Sequence, residues 1–194
     1  MKIAITGHRH GLGKSLYDKF LFYNKGANNT VLGFDLENGY DISNRLNMGK
    51  ILFESKTSDV FVNNAYHPVG QTEMLKYLFK MWRDQKKVIV NIGTFLTKVN
   101  SSSWTNGHES HETYIKEKQK QRQMIADYAG GDLKVIQVNP GYMYTDFLHK
   151  MEANISVNEE HCLNTYDCAD AIVNALDMLK KNIHIPEIDI LDKR

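Results

Sequence analysis

Cysteine, proline and charge of one sign are all scarce in this sequence, and each scarcity excludes a class of protein. Two cysteines in 194 residues, Cys162 and Cys168, cannot build a disulfide framework. So sparing a use suits a reducing compartment, and a cytoplasmic protein is expected. Three prolines leave no proline-rich linker. With no internal repeat or low-complexity tract either, residues 1–194 are expected to form one domain. No apolar run approaches the ~20 residues needed to cross a bilayer, and Met1-Lys-Ile-Ala-Ile-Thr6 reads as a strand rather than a signal peptide. Lys and Arg number 24 against 23 Asp and Glu, a net charge of +1. That balance offers no basic face to nucleic acid and no acidic tail. Small-molecule partners remain, with neither nucleic acid nor membrane among the expected ones.

What the sequence does have is alternation. Lys2–Thr6, Thr30–Asp35, Asp59–Asn63, Lys87–Ile92 and Lys134–Asn139 are short apolar or β-branched runs, bounded as buried parallel strands are. Between them, Leu12–Asn24, Ser43–Ser55, Val69–Gln85 and Glu112–Tyr128 repeat apolar residues at three and four, the helical period. A last helix is expected from a Thr165 cap, and a final strand near Glu187–Leu191. Strand–helix alternation of this kind predicts an α/β doubly wound Rossmann fold. The polar stretch Lys98–His111 has no period and reads as a long loop.

Two segments carry chemistry. Gly7, Gly11 and Gly13, in Gly-x3-Gly-x-Gly, follow the first strand at once and open the first helix. There glycine lets the backbone turn tightly, and the helix amides attract a pyrophosphate. Asp35 ends the second strand, where a carboxylate can accept from a ribose 2′-OH and would repel a 2′-phosphate. NAD is therefore favoured over NADP. Arg9 and His10, inside the turn, could instead reach an extra phosphate, or contact the pyrophosphate or solvent. The second segment holds Tyr114 and Lys118, four apart and so on one helix face, where the ammonium can sit beside the phenol and favour its anion.

Taken in order, these residues resemble the short-chain dehydrogenase/reductase family. The family's Thr-Gly-x3-Gly-x-Gly matches Thr6, Gly7, Gly11 and Gly13, and its Asn-Asn-Ala matches Asn63, Asn64 and Ala65. Its Tyr-x3-Lys matches Tyr114 and Lys118. Its Pro-Gly followed by Thr matches Pro140, Gly141 and Thr145, and its Asp-Ile adenine contact matches Asp41 and Ile42. The resemblance implies an NAD(H)-dependent oxidoreductase interconverting a secondary alcohol and a carbonyl, with Tyr114 exchanging the substrate proton and Lys118 binding the nicotinamide ribose. It also implies a cofactor site of Gly7, Arg9, His10, Gly11, Leu12, Gly13, Asp35, Asp41, Ile42, Asn64, Ala65, Tyr114, Lys118, Pro140, Gly141 and Thr145. A homodimer or homotetramer built on the helices Val69–Gln85 and Glu112–Tyr128 is implied as well. An alternative on the same fold is a dinucleotide-binding sensor or interaction module without turnover.

The sequence departs from the family pattern at several points. Where the family carries a catalytic serine after its Ile-Val-Asn-Ile strand, this chain has Thr94. Ser101 has the more usual spacing to Tyr114, and Ser101 and Ser102 stay in reserve. His67 could relay protons in place of a family asparagine, or be a plain loop histidine. Only Leu36–Tyr40 separates Asp35 from Asp41, so the helix between the second and third strands is missing. Tyr40–Ile42 can add only a rudimentary edge strand to a mainly parallel sheet of about seven strands. Tyr142, Tyr144, Phe147 and Met151 are candidate substrate-lining residues. His108, Glu109 and His111 lack the fuller ligand set of a metal site, so no metal is expected.

Overall fold

The computed structural model describes residues 1–22, 29–99, 109–128, 131–145 and 162–192, with the backbone alone at 109–111. Ser101, Ser102, His108, Phe147, Met151 and the side chains of Glu109 and His111 therefore lie outside the described residues. The elements run β1 (Lys2–Thr6), α1 (Gly11–Phe22), β2 (Thr30–Phe34), a short 3-10 turn (Leu36–Asn38), α2 (Arg45–Ser55) and β3 (Val60–Asn63). They continue with α3 (Gly70–Trp82), β4 (Val88–Ile92), a second 3-10 turn (Phe95–Thr97), α4 (Glu109–Asp127), β5 (Lys134–Pro140), α5 (Thr165–Lys180) and β6 (Glu187–Ile190).

The strands form one sheet in the order β2-β1-β3-β4-β5-β6, every pairing parallel. Alternate residues of each strand feed two cores. Ile3, Ile5, Val60, Val62, Val90 and Ile92 pack with Leu16 of α1 and Ile172 of α5. Ala4, Phe61 and Ile89 pack on the other face with Ile51 of α2 and Met74, Leu75, Leu78 and Trp82 of α3. This is the doubly wound arrangement, a sheet covered on both faces because its strands are apolar on both.

One expectation is revised. The sheet has six strands among the described residues rather than about seven, because Tyr40–Ile42 does not pair. Asp41 instead accepts the Ser43 amide at 2.8 Å in a side-chain turn, and Ile42 turns into the second core. Only the single turn Leu36–Asn38 lies between Asp35 and Asp41, and α2 makes the crossover from β2 to β3. Met74, Leu78 and Trp82, on one of the two helices on which the resemblance would build an oligomer, are fully buried against the sheet. Among the described residues no helix is long and apolar enough to cross a membrane.

Chain order reverses between β1 and β3: β1 leads outward to β2, and the chain then returns to β3 on β1's other side. In open parallel sheets a crevice forms at such a point, beyond the carboxyl ends of the strands. Gly7 follows β1 there, and Asn64 and Ala65 follow β3.

Candidate active site

The glycine turn is built as the sequence predicts. Gly7 and Gly11 have φ of +68° and +51°, the left-handed region that other residues occupy at a cost. A Cβ on Gly13 would run into the Gly7 carbonyl oxygen, so only glycine permits that closeness. Leu12 is buried in the first core, leaving its backbone alone for any ligand. Asn64 and Ala65 act on the turn rather than beside it. Asn64 donates its side-chain amide to the carbonyls of Thr6 (3.0 Å) and Gly7 (3.1 Å), and both backbone amides donate to the Thr6 hydroxyl. These bonds staple the end of β3 to the turn after β1.

Thr145 also reaches this place: a Cβ on Gly11 would lie 3.1 Å from its Cγ2. Pro140 closes β5, and the Gly141 amide donates to Ile190 of β6 at 2.8 Å. Of the three predicted β5-end residues, Thr145 approaches the opening of α1, while Pro140 and Gly141 lie against β6. Asp41 and Ile42, the expected adenine contacts, lie in the turn that precedes α2. The Asp41 carboxyl is spoken for by Ser43, whose hydrogen bonds hold it below the usual carboxylate range, and the Ile42 side chain is core.

Around the end of β2, Asp35 caps the Leu36–Asn38 turn, accepting the Glu37 amide at 3.1 Å while Asn38 returns a bond to the Asp35 amide at 2.7 Å. This reciprocal capping box projects Glu37 over the glycine turn. There it meets Arg9 at 3.0 Å and His10 at 2.8 Å. Hydrogen bonds from His10 and then Arg9 hold the Glu37 carboxyl below its ordinary range. His8 lies under the same edge. Its ring occupies the space a Gly33 side chain would fill and stands 4.9 Å from the Tyr17 ring. Its buried Nδ1 finds no hydrogen-bond partner, and burial lowers its pKa.

On the other side of the crevice Thr94 and Tyr114 meet. Thr94 follows β4 and caps the 3-10 turn Phe95–Thr97; Tyr114 stands in the second turn of α4. Thr94 lies near enough to favour the phenolate, although burial outweighs that and pushes the phenol well above its ordinary value. Two further phenols surround Tyr114. The Tyr66 ring packs edge-on at 4.9 Å, and Tyr142 is close enough to raise the Tyr114 pKa further.

Lys118 departs from expectation. Its ammonium lies 5.4 Å from the centroid of the Tyr114 ring and 5.5 Å from that of Tyr66. It donates instead to Gln71 Oε1 and to the Ile92 carbonyl, both at 2.6 Å. Burial brings its pKa down to about 7. The lysine's hydrogen bonds at 2.6 Å thus go to Gln71 and Ile92 rather than to the phenol.

Gln71 was not singled out in the sequence, yet it directs Lys118. Fully buried, it donates its amide to the carbonyls of Asn63 (2.9 Å) and Ile92 (3.1 Å), which leaves its oxygen facing the lysine. Around it Asn63, Asn91, Gln121, Gln137 and Asn139 form a continuous buried amide layer. Buried amides are tolerated because they bond to one another. Gly93 belongs to this layer by default, since a Cβ there would strike the Gln137 and Asn139 side chains. His67 is occupied elsewhere, its Nδ1 accepting the Gly70 amide at 3.1 Å as α3 begins. Among the described residues no cluster of His, Cys, Asp or Glu could hold a metal ion.

No protein-family model matches the sequence, and no curated protein is similar to it. Solved structures are similar over nearly the whole chain. A short-chain dehydrogenase/reductase from Vibrio parahaemolyticus superposes with a TM-score of 0.70 at 20% identity, covering 99% of this chain and 100% of its own. A 4-hydroxyisoleucine dehydrogenase complexed with NADH gives 0.71 at 17%, covering 97% and 96%. A short-chain dehydrogenase from Burkholderia cenocepacia J2315 in complex with NADP gives 0.66 at 17%, covering 98% and 88%. The chain therefore has the short-chain dehydrogenase/reductase fold, as the resemblance of its motifs implied.

Proposed function

We propose that the protein is an NAD(H)-dependent oxidoreductase interconverting a secondary alcohol and a carbonyl compound. The observation that carries this reading is the placement of Thr94, at the end of β4, and Tyr114, on α4, on the same crevice as a turn that only glycine can make. The glycine turn fits a dinucleotide: its residues leave room where side chains would intrude, and the opening of α1 supplies amides for a pyrophosphate. Gly7, Gly11, Leu12 and Gly13 would hold the diphosphate, Asp35 the adenosine ribose, and Pro140, Gly141 and Thr145 the nicotinamide end. A bound nicotinamide supplies the hydride.

The chain's own residues handle the substrate oxygen. Thr94 holds it by a hydrogen bond, and Tyr114 gives its proton to the oxygen in reduction or takes one in oxidation. A phenol raised by burial is well suited to stay protonated as the acid. Lys118, with a pKa near neutrality, can carry a proton beneath the two rings while Gln71 fixes its direction.

A second reading, a dinucleotide-binding module without turnover, is favoured by the engagement of Lys118 with Gln71 and Ile92 rather than with the phenol. Oxidation of NADH followed across a panel of aldehydes and ketones separates the two. Turnover that falls by about 10²- to 10⁴-fold in Tyr114→Phe supports the enzyme. NADH binding without turnover on any carbonyl supports the module.

A further inference from the structure

The glycine turn carries two basic side chains beside the place where a dinucleotide's adenosine ribose would lie, and one carboxylate engages both. Arg9 Nη1 meets Glu37 Oε2 at 3.0 Å, and His10 Nε2 meets Glu37 Oε1 at 2.8 Å. Each oxygen of the carboxylate thus takes one base. Glu37 does not reach them by chance of a floppy loop. The turn that bears it is fastened at both ends by the Asp35–Asn38 capping box, by the Asn38 side chain donating to the Gly33 carbonyl at 3.0 Å, and by Gly39 in the left-handed conformation at φ 87°.

We propose that Glu37 sets the choice between NAD(H) and NADP(H) by withholding Arg9 and His10 from a 2′-phosphate. This rests on the dinucleotide-binding reading above and goes beyond it. Asp35 alone gives a ribose hydroxyl an acceptor, but its own carboxyl already takes the Glu37 amide. The decisive element is the occupied pair of bases. With Glu37 present, a 2′-phosphate meets two carboxylates and must displace Glu37 from both Arg9 and His10 before it gains a donor. Without Glu37 it meets one carboxylate and two freed donors, the guanidinium being suited to bidentate phosphate binding. A ribose hydroxyl carries no charge and is nearly indifferent to the exchange.

The pair is solvent-exposed, with Glu37 at 52% side-chain exposure, so its removal leaves the core untouched and its contribution to stability is small. The test is isothermal titration of NADH and NADPH into the wild type, Glu37→Gln, Glu37→Ala, and Glu37→Ala combined with Arg9→Gln and His10→Gln. The wild type is expected to prefer NADH. The two single variants are expected to gain about tenfold or more in NADPH affinity relative to NADH, as one recovered charge-assisted contact would give, and the triple variant to lose that gain. An unchanged affinity ratio in the single variants overturns the proposal, as does a gain that survives loss of Arg9 and His10. A wild type that binds neither dinucleotide overturns the underlying reading as well, and so fails in a distinguishable way.

Discussion

At the scale of single residues, the site is governed by what burial does to ionisable groups. Lys118 is fixed in a layer of amides with two acceptors at 2.6 Å, and desolvation brings its pKa from 10.5 down to about 7. Between those values the unfolded chain holds a proton that the folded chain lacks, so folding stability gains with rising pH across that window. Below about 7 the lysine is charged in both states and its burial cost is fully present. Urea unfolding of the wild type and of Lys118→Met between pH 6 and pH 10 is the measurement. The difference in unfolding free energy is expected to shift steadily toward the wild type as pH rises, and parallel profiles would remove the buried, near-neutral lysine from the account. The same physics explains why the motif was legible while its chemistry was not. Spacing places Tyr114 and Lys118 on one face, but only the packed structure reveals Gln71 drawing the lysine downward. A glutamine in an amphipathic helix carries no mark that distinguishes it from a surface residue. The one available signal was its company, since Asn63, Asn91, Gln137 and Asn139 are polar residues inside runs that otherwise read as buried strands.

At the scale of elements, each strand–helix junction on the crevice is locked by its neighbours. Asn64 binds the Thr6 and Gly7 carbonyls, Gly13 packs its α-carbon against the Gly7 carbonyl, and Thr145 covers Gly11. Gly13→Ala is therefore expected to force the turn open, losing most NADH affinity and costing about 1–3 kcal/mol of stability, the usual cost of overpacking a close contact. Calorimetric titration and thermal unfolding of that variant check it, and unaltered binding would mean the turn is not the phosphate cradle. The strands were readable because β-branched runs ended at glycine, asparagine or charge. The six of them came out within a residue or two at each end. Tyr40–Ile42 was not readable, because Asp41 could either end a strand or form a side-chain turn, and the Ser43 amide decides for the turn. The Glu37 clamp was equally hidden. It joins residues 28 positions apart, and only the parallel pairing of β1 with β2, Thr6 opposite Phe34, brings their following loops together.

At the scale of the whole molecule, the sheet divides its two faces unequally. The face under α1 and α5 is lined by one large apolar core. The face under α2, α3 and α4 is apolar around Phe61, Ile89 and Trp82 but turns to amides at the carboxyl ends of β3, β4 and β5. That polar end supports Lys118, Tyr114 and Thr94 from below, while the apolar remainder holds the sheet that carries them. A dinucleotide in the crevice would touch segments following β1, β2, β3 and β5 at once, and would be bound by the folded chain alone. By linkage, a ligand at a hundred times its dissociation constant stabilises the fold by ~2.7 kcal/mol, which for a chain of this length is roughly 5–10 °C in Tm. Thermal unfolding with and without NADH is the most direct test that this crevice is a dinucleotide site. The account predicts a rise of that order that saturates with NADH concentration; a Tm that stays flat with both NADH and NADPH up to millimolar concentrations would contradict it.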